Sequence, residues 1–114
     1  MKLWKEGRQK SGYKILTLFN ISSRFLKSDS HIIQYPEGSF IPEHTDPVDD
    51  FSHYRLNFII KKPIQGGIFY SEKTLLSFLN RLFIFRPDQC KHSVSKVIKG
   101  KRIVYSFGIA FKKT

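Results

Sequence analysis

The sequence predicts an all-β domain with only minor helix, arranged as a jelly-roll barrel. Short apolar runs rich in β-branched and aromatic residues recur along the chain, and turn-forming Gly, Pro, Asp and Asn residues separate them. Helical periodicity is weak almost everywhere. The length of 114 residues is enough for one domain and too short for two, so residues 1–114 are predicted to form a single domain.

The predicted strands alternate with turn signals from one end of the chain to the other. In order, they cover residues 13–20, 30–35, 40–46, 53–61, 68–70, 81–85, 92–98 and 101–112. Residues 21–28 are instead a candidate for a short helix, and residues 75–79 are ambiguous between a helical turn and a strand.

The composition describes a basic, globular chain. The formal net charge is +11 and the chain has 11 Phe and 5 Tyr residues. The Lys and Arg residues are scattered, which is more typical of a solvated surface than of a nucleic-acid-binding stripe, but nucleic acid stays open as a partner. No run approaches the roughly 20 apolar residues that span a bilayer, and Cys90 has no second cysteine to pair with. We therefore expect a cytoplasmic protein without a membrane segment or signal peptide.

His44 and Asp46 are the first candidates for metal ligands. In an extended strand, residues two apart project from the same face. An imidazole and a carboxylate suit a divalent first-row metal, and a third ligand would complete the facial triad typical of non-haem iron(II) oxygenases. His92, which follows a turn, and His53, which follows an acidic loop, both qualify as that third ligand. The spacing alone does not choose between them.

The last predicted strand favours His92 as the third ligand, because it carries Arg102 ten residues after His92. Alternation divides this strand into a small or polar face and a bulky apolar face. The first face consists of Arg102, Val104, Ser106, Gly108 and Ala110, and the second of Ile103, Tyr105, Phe107, Ile109 and Phe111. A solvent face has no need of small residues, so the first face is predicted to line a ligand-filled interior and the second to pack against another layer. There the Arg102 guanidinium is suited to hold a carboxylate by two hydrogen bonds.

Four motifs occur in a characteristic order. They are H-x-D within HIIQYPEGSFIPEHTDP (31–47), Gly66-Gly67 after HYRLNFII (53–60), and then H-x-V and G-x-R-x-x-x-S within LFIFRPDQCKHSVSKVIKGKRIVYSFG (82–108). In this order they resemble the 2-oxoglutarate/iron(II) dioxygenases, and within these the prolyl-hydroxylase-like branch. The resemblance implies a double-stranded β-helix that uses iron(II), 2-oxoglutarate and O2.

The same resemblance assigns roles to particular residues. The iron ligands would be His44, Asp46 and His92. Arg102 would bind the distal carboxylate of 2-oxoglutarate, and the residues expected near the co-substrate are Tyr35, Ser106 and Asn57. Arg55 and His53 share a predicted strand face with Asn57, so they are weaker candidates for contact with the substrate.

The implied reaction is hydroxylation of an unactivated C–H bond on a prolyl or other protein or amino-acid substrate. The alternative is a non-catalytic basic jelly roll that binds nucleic acid or protein. Residues 1–29 are predicted to form an N-terminal covering segment and residues 30–112 the catalytic barrel core. The sequence does not indicate the oligomeric state or the identity of the substrate.

Overall fold

A computed structural model describes residues 4–7, 10–47 and 50–113, and within these ranges it contains strands and no helix. The described strands are β1 (Trp4–Glu6), β2 (Lys14–Ser22), β3 (Leu26–Tyr35), β4 (Ile41–His44), β5 (Phe51–Lys61), β6 (Gln65–Gly66), β7 (Phe69–Ser71), β8 (Thr74–Phe78), β9 (Leu82–Phe85), β10 (His92–Val94), β11 (Val97–Lys99) and β12 (Arg102–Lys112). No membrane-spanning helix is found in this part of the chain.

The strands form a large sheet and a small one that enclose a shared core. The major sheet has seven strands in the order β1-β2-β3-β12-β5-β9-β8, and the minor sheet has the order β4-β10-β7. A separate pair joins β11 to β6. Core residues come from both sheets, since Tyr35, Ile59 and Val104 of the major sheet cluster with Val94 of the minor sheet. The predicted jelly-roll class is therefore confirmed.

The short helix predicted for residues 21–28 is wrong. This segment is the end of β2, a tight turn and the start of β3, and the turn is closed by a hydrogen bond from the Ser23 N–H to the Leu26 carbonyl (2.8 Å). The ambiguous segment 75–79 belongs mainly to β8, where Ser77 pairs with Phe83 of β9. In both places pairing with a neighbouring strand outweighs weak local preferences.

Strand β12 is the centre of the major sheet and pairs along its length with β3 and β5. The predicted alternation is confirmed, since Arg102, Val104, Ser106 and Ala110 are at most 4% exposed. The opposite face of β12 is only half-buried by the described residues. Strand β12 thus places the small and polar face inside the barrel.

Within the predicted N-terminal covering segment, the described residues extend the major sheet. β1 pairs with β2, and β2 pairs with β3. Tyr13 lies just before β2 and packs into the core, where its ring stacks on that of Tyr35 at a centroid distance of 5.6 Å. Residues 1–3 and 8–9 of this segment lie outside the described ranges.

Candidate metal centre

The three candidate metal ligands of the H-x-D and H-x-V motifs meet in the minor sheet. His44 ends β4 and His92 begins β10, and the two are direct cross-strand partners with ring centroids 4.4 Å apart. Asp46 lies two residues beyond β4, where its N–H donates to the Pro87 carbonyl at 2.7 Å. Its Oδ2 is 3.4 Å from His44 Nε2 and 3.3 Å from His92 Nε2. All three ligand atoms lie within 4.8 Å of one another, close enough to share one ion.

Both imidazoles are held in the tautomer that a metal requires. His44 Nδ1 is 2.7 Å from the Pro42 carbonyl oxygen, and His92 Nδ1 is 3.0 Å from that of Cys90. Because a carbonyl oxygen only accepts, each neutral ring carries its proton on Nδ1 and keeps the Nε2 lone pair for a ligand. Two such nitrogens and one carboxylate fit a divalent first-row ion such as iron(II).

His53, the other candidate for the third ligand, lies apart from this cluster. It is on β5, and its Nε2 faces Arg55 Nη2 at 3.4 Å. Burial and the neighbouring Arg55 charge both lower the pKa of His53, so the neutral ring is favoured. The geometry thus brings His92, and not His53, to His44 and Asp46.

Arg102 is buried without enough hydrogen-bond acceptors around it. The residue is 1% exposed, and its guanidinium carbon lies 4.7 Å from the centre of the Tyr35 ring. Among the described residues, Nε and Nη2 have no hydrogen-bond partner. Burial lowers the pKa of Arg102 and raises the pKa of Tyr35 to about 12. Unsatisfied buried donors are costly, and a bound carboxylate would accept from two of them at once.

The Gly66-Gly67 motif allows close packing around Arg102. Both glycines have positive φ, 79° and 62°. A Cβ on Gly67 would lie 2.9 Å from the Val97 side chain and 3.4 Å from Arg102 Cδ. The motif therefore lets the β6–β11 pair pack closely beside the buried arginine stem.

Ser106 and Asn57 belong to a hydrogen-bonded row that continues to Arg55. The Ser106 hydroxyl donates to Asn57 Oδ1 at 2.6 Å and accepts from Arg55 Nη1 at 2.6 Å. Arg55 Nη2 in turn forms an ion pair with Asp29. Since Ser106 is four residues from Arg102, it lies roughly 13 Å further along the strand. The partners of the Ser106 hydroxyl are thus Asn57 and Arg55.

Asp29 and His31 extend this row, and we call the five residues together the polar wall. Asp29 and His31 were not predicted as site residues from the sequence. Asp29, Gly108 and Arg55 are direct neighbours across β3, β12 and β5. A Cβ on Gly108 would overlap the Arg55 guanidinium, so this glycine allows Arg55 to cross β12 and reach Asp29. His31 Nε2 lies 3.4 Å from Asp29 Oδ1. The alternation of β3, which places these residues on the face of Tyr35, is the signal that would have found them.

The pairing of Asp29 predicts an acid-sensitive contribution to stability. Burial alone would raise the pKa of Asp29, but hydrogen bonds and charge from His31 and Arg55 outweigh burial and hold it well below 3.8. A depressed folded-state pKa stabilises the fold above the unfolded-state value, and this contribution is lost as the pH falls below it. Urea unfolding between pH 6 and pH 2 should therefore show a steeper loss in the wild type than in Asp29→Asn. Arg55→Met should also flatten the curve, and parallel curves for all three proteins would contradict the assignment.

Fold and site together define a double-stranded β-helix that directs two imidazoles and one carboxylate at a common point. No protein-family model and no characterised protein sequence matches the chain. Among solved structures, a Pseudomonas putida prolyl-4-hydroxylase superposes with a TM-score of 0.69 and 14% identity, covering 97% of this chain and 78% of the enzyme.

Two further structures share the fold. The viral collagen prolyl hydroxylase of Paramecium bursaria Chlorella virus-1, solved as a 2-oxoglutarate complex, gives a TM-score of 0.57 at 18% identity over 79% of this chain. This chain spans 63% of the viral protein's length. KdgF from a Halomonas species gives a TM-score of 0.52 at 12% identity, covering 92% of this chain and 84% of KdgF. The chain therefore has the fold of the prolyl 4-hydroxylases, which confirms the motif-based resemblance at the level of fold.

Proposed function

We propose that this chain is an iron(II)- and 2-oxoglutarate-dependent oxygenase that hydroxylates an unactivated C–H bond. The observation that carries the proposal is the Arg102 guanidinium, buried in the barrel with two unpartnered donors among the described residues. A buried cation that leaves two of its donors without acceptors is destabilising. A co-substrate carboxylate bound beside Arg102 would supply the missing acceptors and so account for a buried arginine at this position.

The metal triad and Arg102 would have separate roles in this reaction. His44, Asp46 and His92 would hold the ion on one side and leave its other positions open. Iron(II) and 2-oxoglutarate supply the oxidising power when bound: O2 is consumed, 2-oxoglutarate becomes succinate and CO2, and a substrate C–H becomes C–OH. Arg102 would bind the distal carboxylate of 2-oxoglutarate. The Tyr35 ring, which packs against the guanidinium, would hold Arg102 in position.

The surroundings of the triad favour exclusion of water. The Phe85 ring is 1% exposed and lies 5.2 Å from the His92 ring, and Phe69 packs against both Phe83 and Phe85. An apolar wall beside an ion keeps the reacting groups from bulk solvent. The aromatic residues of β7 and β9 would serve this purpose.

The proposed substrate is a prolyl residue of a peptide, or another protein side chain or amino acid. Prolyl hydroxylases among the structural neighbours support this class. The polar wall opposite the triad is electrically balanced, because Asp29 neutralises Arg55. A neutral group such as a proline ring meets no unpaired charge there.

The proposal is tested by measuring succinate release from 2-oxoglutarate in the presence of proline-containing peptides. Release should require iron(II), stop when the metal is chelated and rise when a peptide substrate is present. Asp46→Ala, which removes the only carboxylate of the triad, should reduce release to the background rate. Absence of iron-dependent succinate release together with no detectable 2-oxoglutarate binding would reject the proposal.

The net charge of +11 favours one second candidate, a basic module that binds nucleic acid. Such a module would bind oligonucleotides without iron, and its affinity would fall steeply with salt concentration. Measuring oligonucleotide binding at two salt concentrations, with the metal chelated, separates it from the oxygenase.

A further inference from the structure

The major sheet has a largely apolar outer face, whereas a sheet that faces water on one side usually has polar residues there. We define the outer face by the outward positions of the four central strands. The apolar ones are Leu26 and Ile32 on β3, Ile103, Tyr105, Phe107, Ile109 and Phe111 on β12, Tyr54, Leu56 and Phe58 on β5, and Leu82 and Ile84 on β9. The polar ones are Ser28, Ser30 and Gln34 on β3 and Ser52 and Lys61 on β5. The inward positions carry the hydrophobic core around Val104 at one end and the ion pair of Arg55 with Asp29 at the other. The polarity of this sheet therefore requires a cover on its outside.

The described residues do not provide that cover. Phe58 is 40% exposed and Phe111 is 49% exposed. The flanking strands extend the face rather than shield it, since Phe78 on β8 is 60% exposed and Ile21 on β2 is 58% exposed. Monomeric proteins rarely leave a continuous apolar surface larger than a few hundred square ångströms.

The size of the outer face matches one half of a protein–protein interface. Seven strands of three to eleven residues, about 4.8 Å apart and rising about 3.4 Å per residue, give a footprint on the order of 800 Å². A standard stable interface buries about 800 Å² on each partner. Nothing beyond this face is therefore needed to form a stable complex.

The topology makes the outer face suited to pairing with itself. Strand β12 is the fourth of the seven strands. A two-fold axis that runs parallel to the two sheets and midway between them, above the middle of β12, therefore lays the seven strands of one copy over the seven strands of the other. The longest strands, β3, β12 and β5, would lie at the centre of such an interface. Two sheets pack in this way about 10 Å apart in β-sandwiches.

The distribution of charge favours a second copy over a charged partner. Among the outward positions of the four central strands, Lys61 is the one charged residue. Lys61, which pairs with Ile103, lies at one end of the sheet, and Glu6 and Lys14 lie at its edge. Two chains of charge +11 can thus meet here without bringing like charges together at the centre. An acidic partner would find no cation to pair with at the centre of this face.

We propose that two copies of this chain associate through their outer faces as a symmetric, face-to-face β-sandwich. The two-fold axis passes near Phe107, whose ring already packs edge-on against Phe19 at 6.2 Å on this face. The metal sites then lie on the far sides of the pair, where both barrel interiors stay accessible.

The mass of the full chain in solution, measured by light scattering during gel filtration across a range of concentrations, tests the proposal. The wild type should have twice the mass of one chain. Phe58→Lys places a cation on the outer face at a side chain that is already part-exposed in the single chain, and it should shift the mass to that of one chain. Ile68→Lys, at a 68% exposed position beside the minor sheet, is the matched control and should stay paired.

Circular dichroism and Co(II) binding by each variant report whether it is folded, and they do so independently of its mass. A wild type with the mass of one chain would overturn the proposal, whether a further polypeptide segment or a different protein covers the face. Pairing that survives Phe58→Lys, or a mass that grows continuously with concentration, would also overturn it. A loss of pairing in Phe58→Lys with retained Co(II) binding supports it.

Discussion

Arg102→Ala is expected to raise the 2-oxoglutarate concentration needed for half-maximal succinate release by a factor of roughly 30 to several thousand. The guanidinium is 1% exposed and has two donors without partners among the described residues. Truncating one partner of a buried, hydrogen-bonded charge pair costs about 2–5 kcal/mol, because the other charge is left without its counter-ion. Calorimetric binding of 2-oxoglutarate to the Mn(II)-loaded protein should show the same loss.

Two control variants separate binding by Arg102 from a general effect on the barrel. Arg102→Lys keeps the charge but loses the planar pair of donors, so its affinity should fall between those of the wild type and Arg102→Ala. Lys101→Ala removes an exposed cation one residue away and should leave the affinity unchanged. An unchanged 2-oxoglutarate requirement in a folded Arg102→Ala protein would remove this residue from its proposed role.

His92→Ala is expected to lower the affinity for Fe(II) or Co(II) by more than 10²-fold, since even the loss of a group that only supports a ligand costs about 10- to 100-fold. His53→Ala should stay within a few-fold of the wild type, because His53 Nε2 faces Arg55 and His53 is not part of the described cluster of ligand atoms. Titration with Co(II), followed by its absorption, measures both variants directly and does not depend on turnover.

His92→Gln serves as a second variant that preserves much of the side-chain volume beside Phe85. It should bind metal as poorly as His92→Ala while keeping the circular dichroism spectrum of the wild type. If His53→Ala lost the metal and His92→Gln kept it, the third ligand would be His53 and the assignment made from the geometry would be wrong.

The barrel class was predictable because its signals are local. Each strand of the core carries its own alternation, and β12 displays both faces in its eleven residues. The helix prediction for residues 21–28 failed because the conformation of this segment depends on partners that are remote in sequence. Lys27, for example, is extended because it pairs with Ala110 of β12. A window of neighbouring residues does not contain that information.

The candidate site was predictable in its residues but not in its contacts. The choice between His53 and His92 follows from the pairing of β4 with β10, which no spacing rule contains. The ion pair between Asp29 and Arg55 depends on the register of three strands and on the missing side chain of Gly108. The sequence predicted the apolar face of β12 but not whether the chain itself covers it, because an apolar alternation does not reveal which layer lies above it. The described residues leave this face largely uncovered.

The minor sheet is built from strands of only four, three and three residues. Few backbone hydrogen bonds hold such a sheet together, and two of the three candidate ligands are cross-strand neighbours in it, with the third tied to the adjoining turn. An ion bound by all three would cross-link β4 and β10. Metal binding and the folding of this half of the barrel would then be thermodynamically coupled. Depletion of the metal would then loosen the small sheet first, while the long strands around β12 persist.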